Sequence, residues 1–295
     1  MSHFTVAVFT EEGGKTVEEL LAPYQENNMG DCPEEYLEFI DVEDRELDSY
    51  KNEEIDMVKC PDGKLLYPWD ERFKKNGIPK DGYKKVKTKF TEIYPSFDKY
   101  MEEYCGFSKD SDKNRYGYWE NPNAKWDWYQ IGGRWSGLLR LKPLATSGNY
   151  GTRSWTNKEE IIPENRVDSA KIKDIDFSVD RKEYERFIRF WELKVDGDAP
   201  GNEKEKELLK WDIYKKEYYV DKYSSKEEYA RIQSSFNTYA VITPDGKWHE
   251  KGEMGWFGLG AESDEEDKHW NKSFKEMFID TADPEWTLSI VDCHI

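Results

Sequence analysis

T-L-S-I-V-D-C-H-I, residues 287 to 295, ends the chain as an apolar-rich run with β-branched residues and no helical periodicity, the pattern of an inner strand. H-F-T-V-A-V-F, residues 3 to 9, reads the same way at the other end. If the two runs pair, both termini lie in one sheet. Residues 1 to 144 and 236 to 295 then form a single discontinuous α+β domain, interrupted by an inserted block at 145 to 235. The expected fold is a mixed or antiparallel sheet containing both terminal strands, flanked by helices, with a largely helical middle block.

Between these ends the signals are local. Thr16 with Glu19 fits a capping box that opens a short helix, which Pro23 limits. The acidic run 25 to 56 reads as a solvated, irregular or loosely helical face. Turn residues from Pro61 to Gly82 predict loop, and the lysines at 74 to 89 predict an internal or intersubunit partner for the acidic face. Phe97, Tyr100, Met101 and Tyr104 follow helical spacing up to Gly106. T-Y-A-V-I-T, Pro244-Asp245-Gly246 and K-W-H-E predict a hairpin. Gly252 to Gly260 is glycine-rich but lacks the lysine of a phosphate-binding loop.

The aromatic centre is residues 116 to 137, Y-G-Y-W-E-N-P-N-A-K-W-D-W-Y-Q-I-G-G-R-W-S-G. Asn121-Pro122-Asn123 predicts a turn between two extended arms. In the second arm, alternation puts Trp126, Trp128 and Gln130 on one side and Asp127, Tyr129 and Ile131 on the other. Gly132-Gly133 permits positive φ or close backbone approach. Two readings stand. The residues Trp119, Glu120, Trp126, Asp127, Trp128, Arg134 and Trp135 line a ligand site, with Glu120 and Asp127 as acid-base or metal groups and Arg134 as anion holder. Alternatively, Arg134 pairs with a carboxylate, stacks on a tryptophan and only locks the fold.

In the middle block, Tyr184, Phe187, Ile188, Trp191 and Val195 keep helical spacing until Pro200-Gly201. Residues 203 to 223 predict one further helix with aromatic groups on more than one side. Trp211, Tyr214, Tyr218 and Tyr219 either pack inside the subunit or meet a partner or a second copy. Ser225 with Glu228, and Ser263 before an acidic first turn, open two more helices, the second burying Trp270, Phe274, Met277 and Phe278.

The 295 residues carry a net charge of -18, with 36% charged and 15% aromatic residues. Such a surface repels nucleic acid at long range and is drawn toward basic surfaces, which excludes a general DNA or RNA binder. No apolar run is long enough to span a membrane, and residues 1 to 9 lack a signal-peptide pattern, so an intracellular, cytoplasmic location is expected. Cys32, Cys60, Cys105 and Cys293 form no C-x-x-C pair and read as reduced thiols. His3, Asp292, Cys293 and His294 come together if the terminal strands are neighbours. Adjacent strand residues face opposite ways, however, so Cys293 and His294 cannot share one site unless the strand ends there. Metal or Cys-His chemistry is the sharper reading of this group, polar strand ends the plainer one.

H-F-T-V-A-V-F with L-A-P-Y-Q-E-N (21 to 27), K-W-D-W-Y-Q-I-G-G-R-W-S-G (125 to 137), G-E-M-G-W (252 to 256) and I-V-D-C-H-I (290 to 295) together resemble a bacteriophage-encoded family across the chain outside 145 to 235. Chain length and overall character are further similar to phage inhibitors of the bacterial Gabija defence system. That resemblance implies a non-enzymatic anti-defence protein that acts in the host cytoplasm. It implies a homo-oligomer that encloses the host nuclease complex and blocks its engagement and cleavage of DNA. It supplies no catalytic residue, metal or cofactor. The alternative is a small-molecule, nucleotide-like enzyme or sequestrant built on residues 116 to 137.

Overall fold

A computed structural model describes residues 3 to 75, 77 to 153, 163 to 252 and 263 to 295. The chain is α+β and divides into two compact units, Met1–Cys32 with Asn123–Ile295, and Pro33–Pro122. The glycine-rich segment expected after Gly252 lies outside the described residues.

The first unit is built on a seven-stranded mixed sheet. Its central event is antiparallel pairing of His3–Thr10 with Thr287–His294, in register from His3 opposite His294 to Thr10 opposite Thr287. The N-terminal strand is also parallel to Ala240–Ile242, which forms the expected hairpin with Trp248–Glu250. The other edge of the C-terminal strand is shared. Ser169–Lys171 pairs with its first residues and Trp128–Gly133 with its last, so part of the 145 to 235 block joins the main sheet.

Both faces of this sheet are covered, which is why its strands read as nearly continuous apolar runs. Phe4, Val6, Val8, Val291 and Cys293 pack on one face with Leu20, Leu21 and Trp126. The Thr16 and Glu19 capping box holds the Val17–Leu21 helix there. On the opposite face Ala7, Phe9, Leu288 and Ile290 meet Trp270, Phe274 and Phe278. These come from the Asp264–Phe274 helix, capped reciprocally by Ser263 and Glu266, and its continuation Lys275–Ile279. Met277, expected inside, is 44% exposed.

Beyond the sheet, Arg181–Trp191, Lys216–Lys222 and Lys226–Gln233 enclose an aromatic cluster of Phe190, Trp191, Tyr219, Tyr223 and Tyr229. The single helix expected over 203 to 223 is two, Glu203–Leu209 and Lys216–Lys222. Asp212 causes the break. Its carboxylate accepts the Tyr214 amide at 3.2 Å and the Tyr219 hydroxyl at 2.6 Å, and pairs with Lys194 at 2.5 Å. These bonds hold a turn in place of continued helix.

In the second unit, the acidic run read as irregular contains the Glu38–Asp41 strand and the Glu43–Asn52 helix. Glu54–Lys59 pairs with Leu65–Leu66 on one side and with Lys84–Lys89 on the other. The lysines therefore mark an edge strand, where they discourage strand addition. Lys87 reaches Asp56 across the ladder at 3.1 Å, an internal acidic partner for one lysine of the basic run. Phe97–Tyr100 opens on Ser96 and ends through a further turn at left-handed Gly106.

Phe274 is fully buried between helix and sheet, so Phe274→Ala is expected to destabilise the first unit by about 3–5 kcal/mol in urea unfolding. Trp211→Ala, at an 82% exposed position, should change stability by no more than about 0.5 kcal/mol.

Candidate functional site

The sheet face that carries Ala7, Phe9, Leu288 and Ile290 turns polar toward the chain ends. The next inward positions are Thr5, His3, Asp292 and His294, with Gln130 and Trp128 opposite the last two on the neighbouring strand. Side-chain alternation fixes this composition: every second residue of three adjacent strands shares one face.

Two histidine-carboxylate pairs result. His3 Nδ1 lies 2.7 Å from Asp292 Oδ1, and His294 Nδ1 lies 2.6 Å from Asp127 Oδ1. The imidazoles are 5.0 Å apart, edge to face, and the Trp128 indole stacks on His294 at 5.3 Å while meeting His3 at 5.2 Å. A neutral imidazole that donates Nδ1–H to such a carboxylate carries its lone pair on Nε2. The Nε2 of His294 is buried without a hydrogen-bond partner.

The Gly132-Gly133 turn makes the enclosure possible. Both residues have positive φ, 82° and 55°. A Cβ on Gly132 would strike the Asp168 carboxylate, and one on Gly133 the Asp292 carboxylate. Past the turn, the Arg134 amide donates to Asp292 Oδ2 at 2.9 Å. Asp168, fully buried, accepts from the Ser136 hydroxyl at 3.0 Å and from the amides of Gly137 and Gly151.

The seven residues of the aromatic stretch are thereby distributed. Asp127, Trp128 and the backbone of Arg134 belong to the histidine cluster. Trp126 is buried on the opposite face, its indole N–H donating to the Leu21 carbonyl at 3.1 Å. The expected alternation fails there because the ladder with the C-terminal strand begins only at Trp128, so Trp126 and Asp127 precede the strand and exchange sides. Trp135 packs against the Phe9 and Ile290 core. Trp119 and Glu120 lie in the Gly117–Glu120 strand of the second unit, where Trp119 bonds Asp110 at 3.0 Å and touches Phe39.

Cys293 faces away from the histidines into the apolar core. Burial pushes its thiol well above the ordinary value, and the Asp292 charge adds to the effect, so it is no nucleophile. Among the described residues no group of three His, Cys, Asp or Glu is placed to hold a metal ion.

The expected contact residues of the middle block also separate. Trp211 and Tyr214 are 82% and 49% exposed, and Ile213 beside them is 86% exposed. Tyr218 stacks on Tyr214 at 4.3 Å, and its hydroxyl is held by Lys222 at 2.9 Å. Tyr219 is interior, where burial and the neighbouring Asp212 charge push its hydroxyl pKa up. A cavity of about 740 Å³ lined by Phe177, Phe236, Arg231 and His269 contains none of the candidate residues.

Asp168 carried no signal in the sequence, since one aspartate among many says nothing of burial. The link between His294 and Asp127 required the strand register, although each residue stood in a constellation of its own.

Gly133→Ala combines a left-handed φ with a collision against Asp292, whereas Gly197→Ala has a positive φ of 86° but nothing within 4 Å. Gly197→Ala is expected to cost about 1–2 kcal/mol, and Gly133→Ala clearly more, when both are measured by thermal and urea unfolding. Equal costs would remove the collision from the account. In comparison with known proteins, no family model, no curated protein and no solved structure matches this chain.

Proposed function

We propose that this protein acts by binding, as an anti-defence inhibitor of a host antiviral nuclease complex of the Gabija type, and that it keeps that complex from engaging and cutting DNA. The turn at 210 to 215 makes the contact. The observation carrying this reading is the exposure of Trp211 and Ile213, 82% and 86%, beside half-exposed Tyr214. Large apolar side chains grouped on a surface mark interaction sites, and aromatic anchors dominate interface energies. The Asp212 bonds hold the turn in one shape, so little ordering is lost on docking.

A net charge of -18 supports the choice of partner. It steers the protein toward a basic DNA path and away from nucleic acid itself. Inhibition then needs no catalytic group and no cofactor, only occupation of that path, and assembly of several copies would extend the acidic cover.

The test is co-purification with the nuclease complex together with a DNA-cleavage assay. Trp211→Ala with Ile213→Ser is expected to weaken inhibition at least about tenfold, a loss of about 1.4 kcal/mol over the two anchors. Arg134→Gln should leave potency unchanged. Full potency in the double variant would remove the turn from the contact, and a wild-type chain that neither binds nor inhibits would end the reading.

A further inference from the structure

We propose that His3 and His294 form a two-imidazole site for a divalent transition-metal ion of the zinc, nickel and copper class. The site is independent of the exposed turn at 210 to 215, and it rests on four features of the cluster.

The first is position. His3 and His294 are direct cross-strand partners at the ends of the two longest strands, so the sheet itself holds their Cβ atoms about 4.5–5.5 Å apart. The second is ring spacing. With centres 5.0 Å apart, the rings are close enough for one ion bound about 2.0–2.1 Å from a nitrogen of each.

The third is the tautomer. Each Nδ1 is engaged by its own carboxylate, Asp292 for His3 and Asp127 for His294. That carboxylate-histidine arrangement fixes the ring, raises its basicity and presents Nε2 as the donor to a metal. The carboxylates are themselves oriented, Asp292 by the Arg134 amide and Asp127 by the Asn28 amide at 3.4 Å. The fourth is the buried Nε2 of His294, which has no hydrogen-bond partner. A buried polar atom left in that state is costly, and a metal ion satisfies it.

Imidazole suits zinc, nickel and copper and is poorly matched to calcium or magnesium, which seek oxygen. No third ligating side chain completes the set among the described residues. The remaining coordination positions therefore belong to water or to a small ligand, and Trp128, 41% exposed, stands beside them.

The experiment uses the full chain, stripped with a chelator and dialysed against increasing Zn²⁺, with bound metal measured. One ion per chain is expected. His3→Gln should abolish uptake, Asp127→Asn should weaken it about 10- to 100-fold, and His249→Gln and His269→Gln should leave it unchanged. No uptake by the native chain, or uptake insensitive to His3→Gln, overturns the proposal and leaves the cluster as a hydrogen-bonded clamp. X-ray absorption of the Co²⁺-loaded native protein decides without any variant. Imidazole scattering from two rings supports the site, and coordination by oxygen alone overturns it.

Discussion

The antiparallel ladder between His3–Thr10 and Thr287–His294 is the constraint on which the first unit depends. It joins segments nearly the full chain apart, so the loop-closure entropy is large and the ladder must be rewarded by burial on both faces. The burial pattern shows that reward, with Val6, Ala7, Val8, Leu288, Ile290 and Val291 all fully enclosed. The nearest layers of that unit are laid against this pair: a capped helix on each face, a hairpin on one side and the Trp128–Gly133 strand on the other.

The same ladder explains why a polar cluster exists inside a hydrophobic sheet. Alternation continues past the end of the apolar core, so the face that carries Phe9 and Ile290 must next present Asp292 and His294. Buried carboxylates need donors. The chain supplies them by turning its backbone sharply at Gly132 and Gly133, so that the amides of Arg134 and Gly137 meet Asp292 and Asp168. Glycine is required twice because the carboxylates occupy the space where a Cβ would stand.

The terminal strands, the hairpin and the capped helices were legible because each carries a periodic or capping signal that depends on few neighbours. Three features were not. The turn at Asp212 depends on a carboxylate finding Lys194 and Tyr219, contacts set by tertiary packing, so helical spacing alone read through it. In the second unit, the strand and helix in the acidic run were hidden by exposed charges, with only a few buried anchors such as Val42 beneath them. The aromatic stretch looked like one site because its residues are close in sequence. A strand sends neighbours to opposite faces, and the boundary between compact units falls after Pro122. Trp126, Trp128 and Trp135 thus serve one face, the histidine cluster and the other face.

The two surfaces singled out differ in how they resist change, and the difference follows from their surroundings. The histidine cluster is tied on every side, by strand register, by two carboxylates and by the stacked indole of Trp128, so altering one member leaves a buried polar atom unmatched. The turn at 210 to 215 is tied from beneath through Asp212 and by the stacking of Tyr214 on Tyr218, while Trp211 and Ile213 face solvent. Substitution there leaves the aromatic cluster of Phe190, Tyr219 and Tyr229 untouched. A surface of that kind can vary while the fold stays constant, which is the arrangement the proposed binding role requires. The cluster, by contrast, is suited to a ligand small enough to enter without moving the strands that hold it.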